Sequence, residues 1–155
     1  MGAIDRRLDE LGITLPKPAA PVANYVPFVR TGNLVVISGQ LCFGPDGNLA
    51  AEHVGKLGAD VSMEAGLAAA RLAGINILAQ LKSAVGDLDS VRCVRLGGFI
   101  NAMPTFAALP QVMNGASDLM VQVFGEKGRH ARSTIGVAEL PADAAVEVEA
   151  MFEVR

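Results

Sequence analysis

The chain has 155 residues, of which 51% are apolar and 19% charged, with 13 Lys and Arg against 16 Asp and Glu. This length predicts one domain that buries roughly two thirds of its unfolded surface. The near balance of charge and a pI of about 5.3 disfavour a nucleic-acid-binding protein.

The first residues and the longest apolar stretch are the two candidates for a targeting or membrane segment. Residues 1–12 contain no uninterrupted apolar core, so no secretory signal is expected. The apolar stretch at residues 60–84 contains too many polar side chains for a membrane span: Glu64, Arg71, Asn76, Gln80 and Lys82. We therefore expect a soluble, cytoplasmic protein without a membrane partner.

The first quarter of the chain predicts an extension followed by a hairpin. A short helix over residues 5–10 and a proline-rich loop precede Tyr25, and we interpret residues 1–24 as an extension draped on a single domain of residues 1–155. Apolar runs at residues 25–30 and 34–38 flank the turn signal Thr31-Gly32-Asn33. This pattern predicts a β-hairpin.

The middle of the chain predicts two helices around one strand. Apolar and small residues recur at helical spacing over residues 61–85, which predicts a helix long enough to cross a sheet. Residues 91–100 predict a strand in which Gly97-Gly98 marks a bulge or a close backbone approach. Residues 101–115 predict a loop or short helix, because two prolines interrupt them, and residues 117–124 predict a second helix.

Two alternating segments at the end of the chain, residues 132–137 and 146–154, predict two strands. Pro141 and Asp143 supply turn chemistry between them, which predicts an antiparallel hairpin.

The register of this hairpin decides which side chains share a face of the sheet. If the apolar residues of both strands are buried together, Arg132 and Thr134 lie on the same face as Glu147 and Glu149. An exposed cross-strand ion pair and a functional site both remain open, since such ion pairs are ordinary.

The order of elements predicts an α+β layer with two helices on one face of the sheet. The opposite face, which is expected to carry Arg132 and the glutamates, must then meet water or another subunit. The high apolar content favours a subunit.

Other chemistry is weakly indicated. The His and Cys residues lie at spacings that favour neither a metal site nor a disulfide framework, and no phosphate-binding loop is present, so no metal or cofactor is expected. Cys42 and Cys93 are expected to be buried and unreactive. His130 is either an acid–base group in an RNA-cleaving site or an exposed loop histidine.

Specific motifs resemble the RidA/YjgF family of reactive-intermediate deaminases, also described as endoribonuclease L-PSP-like proteins. The segments Ala131-Arg132-Ser133, Leu140-Pro141 and Val146-Glu147-Val148-Glu149-Ala150 resemble its C-terminal signature. Asn24-Tyr25-Val26, Gly32-Asn33-Leu34 and Ile37-Ser38-Gly39-Gln40-Leu41 resemble its opening hairpin.

The resemblance implies a chorismate mutase-like fold with a mixed sheet, assembled as a barrel-like homotrimer with a ligand cleft at each subunit boundary. It also implies hydrolytic deamination of small 2-imino or enamino acids, such as 2-aminoacrylate or 2-iminobutyrate, to 2-keto acids and ammonia. The expected partners are a small carboxylate substrate and two further copies of the chain.

The resemblance assigns roles to six residues. Arg132 matches the arginine that binds the substrate carboxylate, Glu147 the acidic residue near the attacking water, and Thr134 the position whose backbone carbonyl holds that water. Tyr25, Ser38 and Gly39 match positions that line the cleft.

The sequence also departs from the family pattern. His130 replaces a frequent proline and Thr134 a frequent cysteine. Asn114 is the candidate for a cleft asparagine, and the extension and residues 101–115 indicate a longer subgroup. A non-catalytic trimer that binds a small carboxylate is therefore a second hypothesis, and an endoribonuclease a third.

Overall fold

A computed structural model describes all residues 1–155. The three α-helices and five strands are α1 (Ala3–Glu10), β1 (Phe28–Thr31), β2 (Leu34–Leu41), α2 (Met63–Val85), β3 (Val91–Asn101), α3 (Leu109–Phe124), β4 (Ala131–Val137) and β5 (Val146–Val154). The strands form one sheet in the order β1-β2-β5-β3-β4. The pair β3–β4 is parallel and the other three pairs are antiparallel, so the predicted α+β fold with a mixed sheet is confirmed.

The two long helices lie on the same face of this sheet. The hydroxyl of Ser62 caps α2 by accepting a hydrogen bond from the N–H of Ala65 at 3.1 Å, and α2 ends at Gly86, whose φ is +75°. α3 begins earlier than the predicted helix of residues 117–124, because Pro110 lies in its first turn, where a proline is tolerated. No helix combines the length and apolar character that a membrane span requires.

Small residues allow α2 and α3 to pack closely against each other. A Cβ added at Gly115 would overlap the backbone carbonyl of Leu67, and one added at Gly74 would lie 2.9 Å from Cδ2 of Leu119. The glycine and alanine residues of α2 therefore serve its contact with α3 as well as the sheet. Gly98 of β3 lies against Met113 of α3, so the predicted close approach occurs there, while the bulge of β3 lies between Cys93 and Arg95.

The predicted hairpin between the last two strands is wrong. β4 pairs only with β3, and β5 lies between β2 and β3, so β3 separates the two strands. α3 is the crossover that joins β3 to β4, and a crossover between neighbouring strands produces a parallel pair. The alternation of apolar and polar residues correctly predicts that each segment is a strand. It does not determine which strand lies next to it.

The connection from β4 to β5 passes over the end of β3. There the buried side-chain amide of Asn101 donates hydrogen bonds to Oε1 of Glu139 at 3.1 Å and to Oδ1 of Asp143 at 2.9 Å. The segment that was expected to form a tight turn is thus held across the strand end by a buried polar side chain.

The face of the sheet opposite the helices carries several exposed apolar side chains. Val29, Val36 and Ile135 are 53%, 39% and 50% exposed, and pairing places Val36 beside Met151 and Ile135 beside Phe99. Glu147 and Glu149 lie on this face, as predicted. An exposed apolar surface of this kind is typical of a protein–protein interface.

The N-terminal extension is held to the helical side of the molecule by several hydrogen bonds. The N–H groups of Ala3 and Ile4 at the start of α1 donate to the carboxylate of Asp89 at 2.8 Å each. Lys82 of α2 donates to Oδ1 of Asp5 at 2.7 Å. Further along, Gln80 of α2 donates to the carbonyl of Ala19 at 2.8 Å.

Candidate functional site

Three of the predicted site residues line one small cavity. Tyr25, Gly39 and Glu147 meet at a cavity of about 180 Å³ between the extension, the end of β2 and the start of β5. Its other walls are mainly apolar, with two amide side chains: Ala19, Ala20, Pro21, Val22, Pro27, Gln40, Leu41, Phe43, Gln80 and Pro141. At about 30 Å³ for each water molecule, this volume accommodates roughly six waters or a small metabolite.

Gly39 allows the Glu147 carboxyl group to occupy this cavity. β2 departs from regular pairing with β5 between Ile37 and Gln40, and a Cβ added at Gly39 would overlap Oε1 of Glu147. The irregular strand and the absence of a side chain at residue 39 together make room for the carboxyl group.

Ser38 contributes to the same corner without lining the cavity. Its hydroxyl donates to the carbonyl of Val26 at 2.7 Å, and its N–H donates to the carbonyl of Pro27 at 2.9 Å. Ser38 therefore fixes the segment that follows Tyr25 against β2.

The surroundings of Glu147 favour its neutral form. Burial raises the pKa of the Glu147 carboxyl group above its ordinary value, and the negative charge of Glu149 raises it further. Arg95 donates to Glu149 at 3.1 Å, so Arg95, rather than Arg132, supplies the ion pair on this face. A carboxyl group with a raised pKa in a cavity is typical of an acid–base site.

Arg132 lies in a different place, between β4 and α3. Its Nη1 donates to Oδ1 of Asn114 at 2.8 Å and to Oγ of Ser117 at 3.1 Å, and its Nη2 lies 3.5 Å from the carbonyl of Pro110. The guanidinium group is thus held by one face of α3 at the edge of the sheet.

The prediction that Arg132 and Thr134 share a face with Glu147 is wrong within one chain. Arg132 is paired with buried Leu96 of β3, and Leu96 is paired with Ala150 of β5. Because paired residues point to the same face, all three side chains point to the face that the helices cover. Glu147 is three residues from Ala150 and points to the opposite face. Two strand spacings and three residues separate the Cα atoms of Arg132 and Glu147 by about 14 Å.

Thr134 offers its backbone at the free edge of β4. The N–H of Ala102 donates to the carbonyl of Val137, so the backbone groups of Val137 point toward β3, and the register of β4 contains no bulge. Because successive residues point their backbone groups to alternate sides, those of Thr134 point to the free edge. The buried Thr134 hydroxyl has no hydrogen-bond partner.

The sequence does not predict the cluster around Arg132, which consists of Asn114, Ser117 and His130. His130 is half-buried rather than exposed, and its Nε2 lies 2.8 Å from Oγ of Ser117. Two sequence signals point to this cluster. Asn114 and Ser117 are three residues apart on one helix, which puts them on one face, and His130 is two residues from Arg132.

The two cysteines lie in the core, apart from both parts of the site. Cys42 and Cys93 are free and buried, as predicted. Burial raises the pKa of Cys42 and raises that of Cys93 to about 12. Both thiols are therefore protonated near neutral pH.

The fold is a chorismate mutase-like α+β fold, with a mixed five-stranded sheet and two helices on one face. It carries a site in two parts: a carboxyl group in a small cavity, and an arginine held at the free edge of the sheet. The model of the family described as "YjgF/chorismate mutase-like, putative endoribonuclease" matches residues 5–153. The chain belongs to this YjgF/RidA family.

Individual relatives agree with this assignment. The chain is 46% identical to "Protein TCP17" of Trypanosoma cruzi over 99% of this chain and 96% of that protein. A crystal structure of a "putative endoribonuclease" from Shewanella oneidensis is 36% identical with a TM-score of 0.94, and the match covers 99% of this chain and 100% of the other. RidA from an Antarctic Psychrobacter is 29% identical with a TM-score of 0.62, over 91% and 96% of the two chains.

Proposed function

We propose that this protein hydrolyses small reactive 2-imino and enamino acids to 2-keto acids and ammonia. The observation that carries the proposal is the Arg132 guanidinium group, held by Asn114 and Ser117 beside a free strand edge. A planar guanidinium matches the two oxygens of a carboxylate. Membership of the YjgF/RidA family supports the same chemistry.

We infer that the complete site forms between two copies of the chain in a homotrimer. In one chain, Arg132 and Glu147 point to opposite faces of the sheet, so a single small substrate cannot contact both in that chain. The exposed apolar residues Val29, Val36 and Ile135 offer a surface for association. Packing of the uncovered faces, with the free edge of β4 against the next copy, would bring Arg132 at that edge to the Glu147 cavity of the next copy.

The reaction balances with the groups of such a site. Arg132 holds the substrate carboxylate, and the carbonyl of Thr134 accepts a hydrogen bond from a water molecule next to the imine carbon. The water oxygen attacks that carbon while the Glu147 carboxylate takes its proton. Glu147 then returns the proton to the nitrogen, which gives a carbinolamine. Glu147 next moves the proton of the new hydroxyl group to the same nitrogen, so the C–O bond becomes a carbonyl as the C–N bond breaks, and ammonia leaves with a 2-keto acid as the other product.

The direct test is the release of ammonia and keto acid when the protein is added to a dehydratase that generates 2-iminobutyrate. We expect acceleration over buffer by the native chain and its loss in Arg132→Ala and Glu147→Gln. Equal acceleration by Arg132→Ala would exclude the proposed anchor. No acceleration by the native chain would exclude the activity on this substrate.

A carboxylate-binding protein without turnover would use the same anchor. Calorimetry with pyruvate and 2-ketobutyrate separates the two functions, because binding without turnover would support this alternative. The family description also mentions endoribonuclease activity. Incubation of RNA with the native chain and His130→Ala tests it, and cleavage that His130→Ala abolishes would favour that function over deamination.

A further inference from the structure

A chain of hydrogen bonds connects Arg132 to the backbone before β4. Nη1 of Arg132 donates to Oγ of Ser117 at 3.1 Å. The same oxygen lies 2.8 Å from Nε2 of His130, and Nδ1 of His130 lies 2.6 Å from the carbonyl of Gly128. Of these groups, only Arg132 has a role that the family resemblance assigns.

The chemistry of these groups determines the direction of each hydrogen bond. The carbonyl of Gly128 can only accept, so Nδ1 of His130 carries a proton. In the neutral imidazole, Nε2 is then an acceptor, and the hydroxyl of Ser117 donates its single proton to it. The lone pairs of Ser117 remain available for the N–H of Arg132, so the serine has one defined orientation.

Gly128 provides a rigid end for this chain. It is buried, and a Cβ added there would overlap the backbone carbonyl of Met120 on α3. The residue whose carbonyl orients His130 is therefore packed directly against the helix that carries Asn114 and Ser117.

The consequence appears at the guanidinium group of Arg132. Both N–H groups of Nη1 are used, one by Asn114 at 2.8 Å and one by Ser117 at 3.1 Å. The contact from Nη2 to the carbonyl of Pro110 is long, at 3.5 Å. The edge formed by Nε and Nη2 is therefore the two-donor edge that remains for a carboxylate.

We propose that Ser117 and His130 are positioning residues that orient Arg132 so that its Nε and Nη2 bind the carboxylate of the substrate. This inference rests on the proposed function, since it names the atoms that bind the 2-imino acid. Loss of Ser117 frees one N–H of Nη1, and loss of His130 leaves the Ser117 hydroxyl without a fixed orientation, so either change allows the guanidinium group to rotate. The carboxylate then binds more weakly, while the chemical step at the imine carbon changes little.

Kinetics and calorimetry with substitutions in the intact chain test this proposal. Ser117→Ala and His130→Phe should raise KM and the Kd for pyruvate roughly 5- to 30-fold, with kcat within about twofold of the native value. Ser117→Thr keeps the hydroxyl oxygen, and His130→Gln keeps a hydrogen-bond acceptor near the position of Nε2. Both variants should therefore recover part of the affinity. Ser83→Ala, an exposed serine on α2, is the matched control and should behave as the native chain.

A second measurement needs no ligand. Nitrogen-15 spectra of arginine side chains report rotation of the guanidinium group, and Arg132→Lys identifies the signals of Arg132. The native chain and Ser117→Thr should give separate Nη signals, while Ser117→Ala and His130→Phe should give one averaged signal.

These measurements distinguish failure of this inference from failure of the proposed function. Unchanged Nη signals and unchanged Kd in Ser117→Ala and His130→Phe, with binding abolished in Arg132→Ala, would overturn the positioning roles and leave the anchor intact. If the native chain neither binds pyruvate nor releases ammonia, the proposed function and the role inferred from it are both excluded.

Discussion

Gly39 and Glu147 are in direct contact, because the Glu147 carboxyl group occupies the space that a side chain at residue 39 would fill. Gly39→Ala should therefore push the carboxyl group out of the cavity. A displacement of about 1 Å at a reacting group lowers the rate roughly 100-fold, so kcat/KM for 2-iminobutyrate should fall by about that factor.

The matched control for this substitution is Gly136→Ala. The added Cβ would lie 3.4 Å from Cδ1 of Leu109, which is an ordinary contact, and activity should be retained. A crystal structure of Gly39→Ala should show Glu147 displaced. A native position of Glu147 together with native activity would contradict the role of this contact.

Glu147→Gln should stabilise the protein at neutral pH. The folded state raises the pKa of Glu147 through burial and the charge of Glu149, so the charged form costs stability above that pKa. This cost disappears when the group is protonated in both states, below an unfolded pKa of about 4.3. The advantage of Glu147→Gln should accordingly shrink as the pH falls from 7 toward 4.

Urea unfolding of the two proteins across this pH range measures the difference. Glu52→Gln makes the same change of charge at an exposed residue and should show no comparable pH-dependent gain. A native chain that is more stable than Glu147→Gln at pH 7 would contradict the predicted sign.

Gln80 connects the extension to the wall of the cavity. Removal of its amide group should make the extension more mobile and the protein less stable. Its amide donates to the carbonyl of Ala19 at 2.8 Å and lies 3.4 Å from Oε1 of Gln40, and the residue is 1% exposed. Gln80→Met leaves buried polar groups unpaired, at a cost of about 1–3 kcal/mol in the free energy of unfolding. Limited proteolysis should cut residues 14–24 faster than in the native chain.

The control for this prediction is Gln111→Met, because Gln111 is exposed on α3. It should unfold at the native urea concentration and resist protease as the native chain does. If Gln80→Met also retained native stability and native cleavage rates, Gln80 would not be the link between α2 and the extension.

The thiols of Cys42 and Cys93 should react slowly in the folded protein. Both are buried, and their raised pKa values leave almost no thiolate at pH 7 to 8. Labelling by iodoacetamide should therefore follow global unfolding, with both residues labelled quickly in denaturant. Rapid labelling of either cysteine under native conditions would contradict the packing described around it.

Local patterns were sufficient to predict most of the elements. Alternation along β5 and helical spacing along α2 describe segments whose own burial repeats along the chain, and both elements occur within two residues of the predicted bounds. The helix predicted at residues 117–124 is shorter than α3, because Pro110 considered alone indicates a helix boundary. Its position in the first turn makes it compatible with the helix.

The neighbour of β4 could not be predicted in the same way. The choice between β5 and β3 depends on α3, which packs on α2 and carries the chain back to the same end of the sheet. Ile135 illustrates the difficulty, because an alternating isoleucine reads as a core residue and yet is 50% exposed in one chain. Its hydrophobicity becomes understandable if another copy of the chain covers it.

The candidate site was predicted in its parts but not in its arrangement. Tyr25, Gly39 and Glu147 do meet at one cavity, whereas Arg132 and Thr134 lie across the sheet from it. The partners of Arg132 come from α3, and no periodicity in the sequence connects Ser117 with His130. Such contacts between distant segments depend on the tertiary fold.

The central claim is that Arg132 of one copy and Glu147 of another serve the same substrate. Co-expression of Arg132→Ala and Glu147→Gln chains carrying different purification tags, followed by isolation of mixed oligomers, tests it most directly. Each variant alone should be inactive, and the isolated mixed cyclic trimers, each with one intact site of three, should recover about a third of the native activity. Mixed oligomers that contain both chains and yet remain as inactive as either variant would contradict a site shared between copies.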